Sequence, residues 1–302
     1  MKKTVFLGAA TALVTPFNSD GSVDYGALGA LVDWQIAEGI NGLVACGTTG
    51  ESSTLTDDEH RKVISYVVKR SNGKVPVIAG TGSNDTAYAI DLTRHACDDG
   101  ADAILCVTPY YNKATQQGLI KMYETIADAS KVPMILYNVP SRTGVNIEPT
   151  TYKALANHEN IVAIKEANGN LSKIVETMAY VNGKLDLYSG NDDQIVPLMS
   201  LGGKGVISVL SNIMPAKTVE MCQKFFDGDI AGAAQIQYDM HFIIDALFSE
   251  VNPIPVKAAT SAMGFGTNTL RLPLTPMSQD KMNKMFDIME NLGLKVTRWL
   301  KF

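Results

Sequence analysis

Short apolar runs punctuate the first two thirds of the chain, at residues 9–14, 42–46, 75–79, 103–107, 133–137, 161–165, 185–188 and 205–209. Between them lie stretches with helical spacing, such as Leu28, Leu31, Val32, Gln35 and Ile36, or Val63, Ile64, Val67 and Val68. Continuous apolar strands alternating with helices predict a parallel sheet covered on its outer face. Eight such units allow the sheet to close on itself, so the expected fold is α/β, a (β/α)8 TIM barrel. A doubly wound open sheet is the competing architecture, and it calls for a glycine-rich turn after the first strand. That strand instead runs into Thr15, Pro16, Phe17 and Asn18, and the later Gly80-Thr81-Gly82 and Gly202-Gly203 lack dinucleotide spacing.

Beyond about Phe226 the pattern becomes helical without convincing strands. Ile243, Ile244, Leu247 and Phe248 form one apolar face, and Met282, Met285, Met289 and Leu292 approximate another. The segments Asn252-Pro253-Ile254-Pro255 and Leu272-Pro273-Leu274-Thr275-Pro276 read as breaks between helices. The expected organisation is a barrel domain at 1–225 and a helical appendage of two or three helices at 226–302, which can also serve subunit contacts.

A chain of 302 residues accommodates one barrel with an appendage, although two ordinary domains would also fit. The net charge of −5 offers no basic stripe for phosphates, so nucleic acid is not an expected partner. No apolar run reaches the roughly 20 residues that cross a bilayer. The start Met1-Lys2-Lys3 ahead of residues 5–14 has the outline of a signal peptide, but Thr4, Gly8, Thr11 and Thr15 interrupt the apolar centre and the run serves better as the first strand. Cys46, Cys97, Cys106 and Cys222 have no Cys-x-x-Cys spacing, and they read as buried free thiols of a cytoplasmic protein. His60, His95, His158 and His241 show no paired ligand spacing, so no metal site is expected.

Chemistry in this fold gathers at the carboxyl ends of the strands. The sixth run ends in Lys165, where burying an ammonium costs several kcal/mol unless it is paired or neutralised. Desolvation favours the free amine, the form a Schiff-base nucleophile needs. The plain alternative is a lysine that snorkels its head into solvent. Strand parity places Ala163 and Lys165 on one face and Val162 and Ile164 on the other, and likewise pairs Ile135 with Tyr137. A phenol beside an amine is suited to carbonyl chemistry. The second run opens into Gly47-Thr48-Thr49-Gly50-Glu51-Ser52, whose hydroxyls and amides suit an anion, or equally a turn and helix cap.

These segments resemble the pyruvate-dependent family of dihydrodipicolinate synthase and N-acetylneuraminate lyase, over essentially the whole chain. The matching motifs are GTTGES at 47–52, TPYYNK at 108–113, YNVPSRTG at 137–144, IKEANG at 164–169, YSGNDD at 188–193, GVISV at 205–209 and NPIPVK at 252–257. The resemblance implies a lyase whose Lys165 forms a covalent imine with pyruvate, so that no organic cofactor or metal is required. It implies that Tyr137 relays protons through Thr48 and Tyr111, with Tyr111 reaching into a neighbouring subunit's site. Thr49 would help hold the pyruvate carboxylate, and Gly190 and Ile207 would line the pocket.

Arg142 separates the branches within this family. The resemblance implies that the synthases use it to hold the carboxylate of L-aspartate 4-semialdehyde, and a guanidinium fits a carboxylate bidentately. Gly47-Thr48-Thr49 and the LRLPL segment at 270–274 point the same way. The expected activity is therefore condensation of pyruvate with L-aspartate 4-semialdehyde in diaminopimelate and lysine biosynthesis, by a homotetramer (a dimer of dimers) or a homodimer. Another aldolase of the family acting on a sugar-derived 2-keto acid is the alternative, followed by a non-catalytic barrel that binds a keto acid. Feedback by lysine, where the family shows it, implies a pocket formed here by Ser52, Ser53, Asp57, His60, Asn84, Tyr88 and Tyr110. Asp57 and Tyr88 stand where lysine-sensitive members carry histidine and glutamate, so weak or absent inhibition is expected.

Overall fold

The computed structural model describes residues 2–298. Eight strands form a closed parallel barrel: β1 (Gly8–Ala12), β2 (Gly42–Ala45), β3 (Val77–Gly80), β4 (Ala103–Val107), β5 (Met134–Asn138), β6 (Ile161–Glu166), β7 (Asp186–Ser189) and β8 (Gly205–Ser208). Closure comes from β8, whose Gly205 to Ser208 pair with Gly8 to Thr11 of β1. Each strand coincides with one of the apolar runs to within about two residues at either end, the uncertainty expected at element boundaries.

Period-two alternation divides the strand residues into two apolar layers. Ala10, Val44, Ile78, Leu105, Ile135, Ala163 and Ile207 fill the barrel interior. Leu43, Ile104, Leu136, Ile164 and Val206 pack outward against the helices. Tyr188 plugs the amino-terminal end by stacking on Phe6, with ring centroids 4.2 Å apart and its hydroxyl donating to the Phe6 carbonyl at 2.7 Å.

Parity fails at one expected position. The β5–β6 register slips between Met134, opposite Ile161, and Ile135, opposite Ala163. This bulge leaves Val162 as an extra residue, and it joins the interior layer instead of sharing the outer face with Ile164. The slip falls below Ala163, so it leaves the alternation from Ala163 to Lys165 intact.

The helices begin and end where the sequence supplies the signals. Asp57–Ser71 opens with a capping box in which Thr56 and Glu59 exchange side-chain and backbone bonds, and it buries Val63, Ile64 and Val67. After Phe226 four helices lie among the described residues, Ile230–Asp239, His241–Leu247, Ile254–Ala262 and Gln279–Asn291, where two or three were expected. Asn252 to Pro255 is not a break throughout, because Pro255 falls in the first turn of Ile254–Ala262, where a missing amide N–H costs nothing. Met282, Met285 and Met289 are core, as the stripe implied. Cys46, Cys106 and Cys222 are buried free thiols, whereas Cys97 is only half-buried.

Candidate active site

The carboxyl end of β6 carries Lys165, and its register partner on β5 is Tyr137. Both are buried, and the Lys165 Nζ lies 4.2 Å from the centroid of the Tyr137 ring. Strand pairing is what brings them together, since residues opposite one another on neighbouring strands share a face. The next rung, Asn138 opposite Glu166, faces outward.

Gly190 and Ile207 complete this end of the sheet. Gly190 follows β7 and donates its N–H to the Glu166 carbonyl at 2.7 Å. A Cβ there would meet the Ala167 Cβ at 2.8 Å and the Glu166 carbonyl at 3.0 Å, so the close approach requires glycine. Ile207 is an interior residue of β8. Nearby, Asp192 is buried, and its Oδ2 accepts from the Val209 and Leu210 amides at 2.9 Å each. Burial raises this carboxyl above its ordinary range, while the Ser208 and backbone bonds and the Lys165 charge act in the opposite direction.

After β2 the chain turns sharply through residues 47–52. The amides of Gly50, Glu51 and Ser52 close that turn on the carbonyls of Gly47 and Thr48, which leaves the threonines rather than the whole segment as candidate anion donors. Thr15 binds the Gly50 carbonyl at 2.7 Å and anchors the turn to the end of β1. Thr49 is buried, and its hydroxyl accepts from Asn252 Nδ2 at 3.1 Å; Thr48 is half-buried.

Asn252 also serves Arg142. That arginine lies in the short helix Pro140–Thr143 after β5, is exposed, and donates from Nη2 to the Asn252 carbonyl at 3.0 Å. One residue of the NPIPVK segment thus joins the loops of Thr49 and Arg142. Its Oδ1 is buried without a partner.

The same segment supplies Lys257, which forms a buried ion pair with Glu51 and lies 3.7 Å from the centroid of the Phe17 ring. Burial pulls the Lys257 ammonium down to about 8, with the Glu51 carboxylate working against that shift. Glu51 adopts a left-handed backbone at φ +54° and accepts the Arg271 amide at 3.2 Å. The sequence places Glu51 and Lys257 in two of the matching motifs without linking them; the local signal is a lysine within an apolar helix, with nothing nearby to identify its partner.

Tyr111 stands apart from the buried pair. It is 92% exposed with φ +71°, on a loop braced by Asn84 Nδ2 on the Tyr110 carbonyl at 3.0 Å and Asn112 Nδ2 on the Asn84 carbonyl at 2.9 Å. Of the lysine-pocket positions, Asp57 is engaged by Arg61 Nε at 2.9 Å. Arg61 holds the Asp57 carboxyl below its usual range, and burial followed by the Asp57 bond raises the Tyr88 phenol to about 12. His60 is buried with Nε2 2.7 Å from the Gly80 carbonyl. Among the described residues no group of three or more His, Cys, Asp or Glu could hold a metal ion, and no helix is long and apolar enough to cross a membrane.

A closed parallel barrel with a buried amine and phenol at the carboxyl ends of its strands defines the chain as a TIM-barrel protein equipped for carbonyl chemistry. The sequence model of the dihydrodipicolinate synthetase family matches residues 5–292, and the chain belongs to that family. It is 51% identical over 294 residues to a 4-hydroxy-tetrahydrodipicolinate synthase of Acetivibrio thermocellus, covering 97% of this chain and 100% of the relative. The crystal structure of dihydrodipicolinate synthase from Aquifex aeolicus is similar at 45% identity and a TM-score of 0.95, covering 97% of this chain and 100% of that one. The chloride-inhibited synthase from Acinetobacter baumannii, solved with pyruvate, is similar at 44% identity and a TM-score of 0.94, covering 96% and 100%.

Proposed function

We propose that this chain is a lyase that condenses pyruvate with L-aspartate 4-semialdehyde to 4-hydroxy-tetrahydrodipicolinate. The observation that carries the reading is the buried rung of Tyr137 and Lys165, amine over phenol, within a family whose relatives bear that activity in their names. Arg142 favours the semialdehyde over a sugar-derived keto acid, because a guanidinium is a ready partner for its carboxylate.

Lys165 Nζ attacks the ketone carbon of pyruvate, and the carbinolamine loses one water to give an imine. The imine draws electron density from the methyl group, which gives up a proton and becomes an enamine carbon. That carbon bonds to the aldehyde carbon of the semialdehyde, and the aldehyde oxygen takes up a proton as it becomes a hydroxyl. The substrate's amino group then bonds to the imine carbon, the ring closes, and Lys165 leaves as the free amine. Net, two substrates become one heterocyclic hydroxy acid and one water.

Tyr137 lies against the amine and is the proton carrier in this scheme, in relay with Thr48 and Tyr111. Thr48 and Thr49 hold the pyruvate carboxylate, Gly190 and Ile207 line the site, and Arg142 meets the second substrate at the mouth. The lysine itself is the electron sink, so the scheme calls for no further cofactor. The exposure and left-handed backbone of Tyr111 support its crossing to a partner subunit's site, in a homodimer or a homotetramer. Engagement of Asp57 by Arg61 supports weak or absent feedback by lysine, since that carboxylate already has a partner.

A mixture of pyruvate and L-aspartate 4-semialdehyde, coupled to a reductase that consumes the product, tests the activity. Turnover is expected, little changed by millimolar lysine. No turnover, with cleavage of a sugar acid instead, contradicts the assignment, and strong inhibition by submillimolar lysine contradicts the feedback reading.

A further inference from the structure

Behind the rung of Tyr137 and Lys165, on the outer face of the same two strands, lies a buried polar lock. Glu166 Oε1 accepts from Asn138 Nδ2 and the Asn168 amide at 2.9 Å each. Its Oε2 accepts from the Tyr152 hydroxyl at 3.0 Å and from Asn138 Nδ2 at 3.2 Å. Asn138 is itself fixed, donating to Asn146 Oδ1 at 2.9 Å and accepting the Ile147 amide at 3.1 Å. One carboxylate therefore ties together the end of β5, the loop after β6 and the helix Pro149–Leu155.

A carboxylate is a costly way to fill a core position, because burying it must be offset by several charge-assisted bonds. It is nonetheless the group that fits, since all three neighbours present donors and a glutamine would turn its own NH2 towards one of them. We propose that Glu166 is a positioning residue that holds the Lys165 amine against the Tyr137 phenol through the Asn138–Glu166 rung behind them. The inference rests on the reading of Lys165 and Tyr137 as the reacting pair.

Burial raises the Glu166 carboxyl to about 7, with the bonds from Tyr152, Asn168 and Asn138 pulling the other way. The titratable groups around it are Tyr152, the Lys165 amine on the opposite face of its own strand, and Glu148 and Tyr123, which act on Tyr152. Burial, followed by the Glu166 charge, raises the Tyr152 phenol well above its ordinary value, so the lock's negative charge resides on Glu166. Protonation places an O–H among donors and releases at least one of them. The lock is then intact above neutrality and loosened below it, which makes Glu166 a contributor to the acid limb of the activity.

The test measures kcat and KM against pH for wild type, Glu166→Gln and Tyr152→Phe, alongside borohydride trapping of pyruvate. Glu166→Gln should lose on the order of 100-fold in kcat, the scale of a misplacement of about 1 Å, with a smaller change in the KM for pyruvate and a displaced acid limb. Tyr152→Phe removes one donor from the anion and should move the acid limb up by about one unit. Wild-type kcat and an unchanged acid limb in Glu166→Gln would overturn the inference. If that variant does not fold, a folded Tyr152→Phe decides: a limb that stays in place overturns the inference and one that moves up supports it. Failure of wild type to trap pyruvate on Lys165 would instead overturn the reaction scheme on which the inference rests.

Discussion

At the scale of single residues, roles in the proposed reaction follow from where each side chain can reach. Arg142 is exposed at the mouth and donates to the Asn252 carbonyl, whereas Tyr137 is buried against the amine. Arg142→Ala should therefore raise the KM for L-aspartate 4-semialdehyde by about tenfold or more, the scale of one charge-assisted bond, while imine formation with pyruvate persists. Tyr137→Phe should slow imine formation as well as the overall reaction, by roughly 100-fold or more for a lost proton carrier. Separate measurement of pyruvate trapping and steady-state turnover in the two variants checks both, and loss of trapping in Arg142→Ala would reverse the roles. The pairing of Lys165 with Tyr137 was legible in the sequence because period-two alternation puts both on the inner face. Glu166 was not, because its donors Asn138 and Tyr152 lie on separate elements, and only the fold shows a carboxyl enclosed by donors.

At the scale of elements, continuous apolar runs made the eight strands legible, since a strand covered on both faces has little room for polar residues. Two local readings failed for different reasons. The bulge at Val162 inserts one residue without any change in apolar character, so alternation carries no trace of it. Pro253 and Pro255 signal a break, yet a proline in the first turn starts a helix just as readily. That helix carries Lys257 to Glu51, a partner 206 residues away, and no local pattern encodes so distant a pair. Its removal should be costly. Lys257→Met leaves Glu51 charged and buried, and should lower unfolding free energy by about 3–5 kcal/mol at neutral pH. Denaturant midpoints at an unchanged slope measure this, and Lys257→Met combined with Glu51→Gln should recover a large part of the loss. An unchanged midpoint in the single variant would mean that the pair does not hold the turn of Thr48 and Thr49 to the helices after the barrel.

At the scale of the whole molecule, the barrel brings the ends of strands far apart in sequence to one rim, while Tyr111 is exposed and its own pair is buried. If Tyr111 completes a neighbouring site, two defective chains should complement one another. Lys165→Ala keeps its tyrosine and Tyr111→Phe keeps its lysine, so mixing them should restore one competent site in each hybrid dimer. Activity of the mixture no higher than the sum of the separate variants would contradict a shared site. Whether Lys165 is the nucleophile is decided by intact-protein mass spectrometry. Borohydride reduction with pyruvate present should add one pyruvate-derived group to each chain, located at Lys165 by peptide mapping and absent from Lys165→Ala; an unmodified chain, or an adduct on another lysine, would contradict that role.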